Sequence, residues 1–291
     1  MRNNLEKTTK SLTQKKAATG VLFYGIIGIL AALTLAALIL IMAYILVNGL
    51  FEIDLEFLTQ EPRKMGKEGG VFSVIIGTIY VTGLAIVIAT PIGVAAAIYF
   101  IEYAKQESKL VAVIRFFTEI LAGIPSIIFG LFGFAFFVIF LGMGWSVISA
   151  ALTLALMVLP TLIRATEESL KTVPRSYREG SLSLGATKWQ TIIKVILPCC
   201  KSGILTGLIL GIGRAIGETA AVMLTVGGSL RIPTSIFDPT RTMSLHLYIL
   251  SSEGLSQEKT FATAALLIII VLAINTAANL ISSKLGGNNA S

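Results

Sequence analysis

Charge is scarce in this chain. Lys, Arg, Asp and Glu make up 13% of its 291 residues, where a soluble domain carries roughly 25%. The deficit excludes an ordinary soluble domain and points to an all-α polytopic membrane protein. The net charge is +7, but the basic residues fall in intervals between apolar runs. Nucleic-acid binding, which needs a basic stripe on a folded surface, is set aside. Cysteine is nearly absent: Cys199 and Cys200 are the two, side by side. Sequence neighbours make a poor disulfide, and no CxxC or Cys/His spacing offers a metal site, so both read as small packing residues. The single histidine, His246, has no cluster around it and receives no role. No GxxxxGK[ST] stretch exists to cradle nucleotide phosphates, and no internal repeat is visible.

What the chain has is long uncharged runs. Residues 2–16 carry five Lys/Arg against Glu6, and residues 17–51 carry no charge. That run exceeds the apolar core of a secretory signal, about 7–15 residues, and reads as an uncleaved first span over 21–48 behind a cytoplasmic tail, 1–20. Residues 52–68 reverse the balance, five acids to three bases, as an outside loop does. The second span is 71–100, with a kink predicted at Pro91. A polar interval over 102–115 is placed inside. The uncharged run 120–163 would make roughly 65 Å of helix, twice a bilayer core. It is divided at Gly142-Met143-Gly144-Trp145 into spans 116–141 and 145–163. Spans 201–226 and 260–283 complete six, with an outside loop over 227–259 and both termini inside. The basic residues concentrate in the inside intervals, which agrees with that count. Residues 21–291 thus read as a single transmembrane domain.

The long polar interruption, 164–200, organises the second half. With Lys201 it holds seven Lys/Arg and three Glu. Pro174 suits a helix start, Gly185 a left-handed helix stop, and Thr187 with Gln190 a capping box. The loop is predicted as helix, glycine turn, helix, closed by Leu197-Pro198. Trp189, Ile192, Ile193 and Ile196 give the second helix an apolar side. Two readings stand: a partner covers that side, or the chain's own spans do.

Arg214 and Glu218 fall inside the predicted fifth span, four residues apart and so on one helix face. An internal neutralising pair is one reading. The other is an anion path, since guanidinium matches phosphate oxygens and stays charged. Arg164 is either a second station or a side chain snorkelling from a helix end. Gly123, Pro125, Gly130 and Gly133 admit close helix packing or a pore lining, with Ser126 a pathway candidate.

The spacing Glu179-Gly180-Ser181, three residues, Gly185, nine residues, Val195-x-Leu197-Pro198 resembles the cytoplasmic motif of ABC importer permeases. The first triplet is degenerate and Val replaces the usual Ile. That resemblance implies the six-helix core of type I importers, the MetI-like transmembrane family. Arg178, Glu179, Gly180, Ser181, Gly185, Leu197 and Pro198 would then form the loop that fits a cleft on a separate ATPase subunit. A narrower resemblance, to phosphate-specific permease subunits of PstA type, is carried by 122–133 (AGIPSIIFGLFG), 159–169 (LPTLIRATEES), 213–220 (GRAIGETA) and Phe237-Asp238-Pro239. The sister PstC type shares the second and third in weaker form. The resemblance implies that Arg164, Arg214 and Glu218 belong to a phosphate passage. It implies a multi-pass subunit of a prokaryotic cytoplasmic (inner) membrane, with no catalytic residue or metal of its own. Implied partners are a second permease (PstC type), an ATPase pair (PstB type) carrying ATP and Mg, and an extracytoplasmic phosphate-binding protein (PstS type). The competing classes are a permease for another oxyanion, an ion-coupled transporter or channel, and a membrane enzyme. Internal repeats would favour the ion-coupled reading, and no activated nucleophile supports the enzyme.

Overall fold

A computed structural model describes residues 2–104 and 109–286. Of the expected polar interval, residues 105–108 lie outside the described residues, as do residues 287–291 of the expected tail. The chain divides into two compact units, 1–48 and 49–291, where the sequence predicts one domain from 21 onward. The first unit is helix α1, Arg2–Gly49, so the expected tail and first span form one continuous helix. Large apolar side chains such as Phe23, Leu30 and Ile39 are exposed along it. A helix apolar on every side suits lipid as its solvent.

The second unit opens with α2, Leu55–Thr59, whose first turn is capped by Asp54 accepting the Phe57 N–H at 2.7 Å. Strands β1, Pro62–Arg63, and β2, Glu68–Gly69, pair antiparallel. Helix α3, Phe72–Ile98, continues through Pro91, the position of the expected kink, without a break. Pro91 lies on an exposed face, where losing one backbone bond leaves the packed turns on either side intact. The helix loosens further on, into a π-helical turn over Tyr99–Tyr103.

The expected third span, 116–141, is not straight. Helix α4, Lys109–Gly123, and helix α5, Ser126–Gly133, prolonged by a π-helical turn over Phe134–Phe140, meet at 105°. Pro125 stands at the corner with an extended ψ of 139°; it has no N–H to continue α4. Gly142 and Gly144, both at φ +66°, turn the chain into α6, Val147–Thr172. Helix α6 runs well past the expected end of span four at 163.

Helix α7, Arg175–Ser183, and helix α8, Lys188–Thr191, follow. Helix α8 continues through a π-helical turn, Ile192–Ile196, into α9, Leu197–Gly217. Leu197-Pro198 therefore does not close the second helix of the loop. Pro198 follows closely on the π-helical turn, a local widening of the kind found where the regular helical bonding is interrupted. Helix α9 ends at Gly217, short of the predicted 226; α10, Ala220–Met223, α11, Met243–Ser252, and α12, Gln257–Gly286, complete the unit.

Small residues set the packing. Gly203, Gly207 and Gly211 of α9 lie against Ser169, Ala165 and Val158 of α6, so the two helices run antiparallel in close contact. Gly93 of α3 meets Leu162 of α6. Val81, Ala85, Leu154, Val158 and Ala215 form the buried centre of this three-helix core.

The bent pair is a crossing rather than a re-entrant loop. Arg115 of α4 pairs with Glu167 near one end of α6, and Gly133 of α5 touches Thr153 near the other. Those two α6 positions are about 21 Å apart along the helix axis. With α1, α3, α6, the α8–α9 run and α12, each long and apolar enough to cross a membrane, the described residues hold six candidate crossings.

Candidate functional site

The polar stretch gathers at the end of the core where α6 stops. Val173 ends that helix in extended backbone, and Pro174 leads into α7. Gly185, at φ +83°, turns the chain after α7. Thr187 and Gln190 then cap α8 reciprocally: the Thr187 hydroxyl accepts the Gln190 N–H and the Gln190 amide accepts the Thr187 N–H. A hydroxyl contact of 2.9 Å between Ser181 and Thr191 clips the two helices together.

The apolar side of this hairpin is shared between the two readings left open above. Ile192 and Ile196 are buried with Ala97, Leu170, Val173 and Cys200. Tyr177, Trp189 and Leu184 point outward, Leu184 being 90% exposed at the tip. The motif residues separate in the same way. Glu179 and Gly180 are exposed, with no hydrogen bond or ion pair to the Glu179 carboxylate among the described residues. Leu197 and Pro198 are half-buried inside a continuous helix. Arg178 turns inward. Its Nε donates to Glu102 at 2.9 Å, Nη1 to the Val173 carbonyl at 2.7 Å and Nη2 to the Leu170 carbonyl at 3.0 Å. It ties α7 to the end of α3 and the last turn of α6 and is not a surface residue. Sequence reasoning does not single out Glu102; seventy-six positions separate it from Arg178, and no periodic pattern links them.

The candidate path residues do not converge on one helix face. Arg164 of α6 is exposed and 3.8 Å from Glu119 of α4. Arg214 is exposed in the last turn of α9, where a cation also complements the orphan carbonyls of the helix end. The α6–α9 register puts Gly207 beside Ala165, so Arg214 stands about 10 Å beyond Arg164, toward the end of the core away from α7. Glu218 is no longer helical: it ends α9 with ψ 126°, which removes the shared face predicted for Arg214 and Glu218, and no ion pair joins these two described residues. One Glu218 carboxylate oxygen accepts the Ala221 N–H at 3.2 Å, and its carbonyl accepts the Ser244 hydroxyl at 2.6 Å. Ser126 begins α5 just past the 105° corner. Four residues on, Gly130 packs against Ala220 and Ala221. The corner helix and the Glu218 segment thus cross one another. Close packing accounts for Gly130 and Gly133, whereas a Cβ added to Gly123 would meet nothing within 4 Å.

The opposite end is closed by the segment 225–246. The first N–H groups of α6 are met by carbonyls from it: Val147 donates to Asp238 at 3.0 Å and Ile148 to Ile236 at 2.9 Å. The Asp238 carboxylate accepts the N–H of Thr234 and of Ser235 and the Thr234 hydroxyl. Those bonds hold the carboxyl below the usual range. Arg241 and His246 are both buried here, 5% and 1% exposed. Arg241 donates to the Gly228 carbonyl at 3.0 Å, and one of its terminal nitrogens lies 3.5 Å from His246 Nδ1. Burial and that guanidinium push His246 down to about 4. Among the described residues no His, Cys, Asp and Glu cluster could hold a metal ion.

The family described as "Binding-protein-dependent transport system inner membrane component" matches residues 89–286. "Probable ABC transporter permease protein YqgI" of Bacillus subtilis is 32% identical over 270 residues, 87% of this chain and 92% of that protein. "Phosphate transport system permease protein PstA 1" of Mycobacterium tuberculosis is 38% identical over 216 residues, 73% of this chain and 70% of that protein. Among solved structures, an inward-facing conformation of the MetNI methionine ABC transporter superposes with TM-score 0.60 at 22% identity, over 74% of this chain and 94% of that one.

Proposed function

Because the chain belongs to the family of binding-protein-dependent transport system inner membrane components, we propose that it is the PstA-type permease subunit of an ATP-driven importer of inorganic phosphate. The observation that carries the transporter class is the exposed α7–turn–α8 hairpin. It presents Glu179, Tyr177, Leu184 and Trp189 to a partner at the end of the core where the basic residues gather. The phosphate assignment is supported by identity to phosphate permeases over most of the chain.

In this reading the α7 end and both termini face the cytoplasm. An ATPase pair, carrying ATP and Mg, docks on the hairpin. A second permease chain completes the path, and a binding protein delivers phosphate to the 225–246 end. Alternating access follows as the ATPases close and drive α7. Arg164 and Arg214 are stations at two depths of the path, and Ser126 lines it at the corner of α4 and α5. Glu218 sets selectivity. Phosphate near neutral pH still carries a proton, its second pKa lying at about 6–7. A carboxylate accepts that hydrogen bond, and sulfate has none to offer. One Glu218 oxygen is engaged by Ala221, which leaves the other for substrate.

Affinity purification from the native host tests the class. Co-isolation of an ATPase and a second permease, with phosphate uptake dependent on ATP, is the expected result. A lone chain that transports phosphate without an ATPase overturns it. Glu218→Gln is expected to narrow the preference for phosphate over sulfate; unchanged discrimination removes Glu218 from the selectivity role, and preferential uptake of another oxyanion by the wild type reassigns the substrate.

A further inference from the structure

A cavity of about 490 Å³ lies at the α7 end, between the last turn of the α3 run, α4, the end of α6 and α7. Among the described residues its walls carry four cations, Arg115, Lys171, Arg175 and Arg178, against one carboxylate, Glu102. The neighbouring cavity of about 330 Å³, on the other side of Arg115, has three cations and three carboxylates. Among the described residues, the first cavity thus has an excess of positive charge and the second is balanced.

The internal partners leave donors over. Glu102 is taken up by Arg178. Arg115 reaches Glu167 at 3.3 Å through one terminal nitrogen, and its side chain is 43% exposed. Lys171 pairs with Glu168 where both side chains are largely exposed, 48% and 72%; such pairs contribute little and exchange readily. Arg175 has no acidic partner among the described residues. Guanidinium forks and ammonium donors converging from three elements match the oxygens of a phosphoryl group, and Phe100 and Val111 add an apolar wall beside them.

We propose that this cavity is a binding site for a phosphoryl anion, either free inorganic phosphate or the phosphate of an acidic lipid headgroup, and that its occupant restrains the coupling helix. Arg115 belongs to α4, Lys171 to α6, and Arg175 and Arg178 to α7. An anion held by all three fixes α7 relative to the core. Because α7 carries the surface that the proposed ATPase would grip, occupancy slows the cycle. The restraint rests on the importer reading; the anion site does not.

Two measurements separate them. First, phosphate is added to the purified full chain in zwitterionic detergent, and thermal stabilisation is compared between wild type and K171Q/R175Q. Both substituted residues are solvent-exposed, so the variant is expected to fold. Stabilisation by phosphate, or by phosphatidylglycerol, that is lost in the variant supports the site and tells the two sources apart. Equal responses of wild type and variant to both anions, or no response of the wild type to either, overturn it. Second, the assembled complex is placed in nanodiscs of zwitterionic lipid, with hydrolysis followed through ADP. The effective anion is expected to lower wild-type hydrolysis about fivefold and to leave K171Q/R175Q unaffected. Equal inhibition of both overturns the restraint, since it would then come from the transport path or the ATPase.

Discussion

Arg178 places two of its nitrogens 2.9 Å from one carboxylate oxygen of Glu102 and gives two further hydrogen bonds to the carbonyls that end α6. The pair is largely buried, its side chains 19% and 8% exposed. The relationship joins the hairpin proposed to meet the ATPase to the two helices at the centre of the core. Force applied to α7 would thus reach α3 and α6 through a charge-assisted contact rather than through loop backbone.

Removing one member of that pair strands the other. Arg178→Met is expected to destabilise the protein by about 3–5 kcal/mol, because Glu102 is left buried and uncompensated. Adding Glu102→Leu should recover part of the loss. A melting series of the two single variants and the double variant checks this; strictly additive effects would rule out the coupling.

Gly133 and Thr153 form a tight crossing between α5 and α6. A Cβ at 133 would collide with the Thr153 side chain, so Gly133→Ala should cost about 1–3 kcal/mol. Thr153→Ala clears the space and should suppress the defect in the double variant. Gly123→Ala, where nothing lies within 4 Å, is the control and should be silent in the same assay.

Gly185 is a backbone case. It holds φ +83° with open space around it, so Gly185→Ala strains only the turn, by about 1 kcal/mol. Asn should be tolerated better than Val, since Asn visits the left-handed region and a β-branched side chain does not. Uptake is the readout, with expression and melting expected to change little. A Val variant as active as the Asn variant would contradict the turn's role.

His246 makes the 225–246 end acid-sensitive. Its folded pKa, about 4, lies below the ordinary value of about 6.5. The unfolded segment therefore takes up the proton first on acidification. The contribution is complete above about pH 6.5 and is lost as pH falls toward about 4. Between about pH 7.5 and 5 the loss is about 2 kcal/mol for opening of this segment. Hydrogen exchange over 240–252 should accelerate accordingly, and His246→Gln should flatten the pH dependence. Arg241 is the charged neighbour and stays protonated throughout.

Uncharged run lengths alone required several membrane crossings, because lipid offers no partner to a backbone that is not helical. The glycine stop at 185 and the Thr187–Gln190 capping box were equally legible, since caps act within one turn. The spacing from Glu179 to Pro198 pointed to the permease family before any coordinate did. Three-dimensional structure decided what local spacing could not. The bend at Pro125, the passage of α3 through Pro91 and the run-on of α8 into α9 depend on which side of each helix is packed. The end of α9 at Gly217 separated Arg214 from Glu218, because i, i+4 spacing means a shared face only while the helix lasts. The inward turn of Arg178, the buried place of Glu102 and the fit of Gly203, Gly207 and Gly211 against α6 arise from contacts between residues distant in the chain. Such contacts are selected by close packing and by the need to pair buried charge, and neither leaves a period in the sequence.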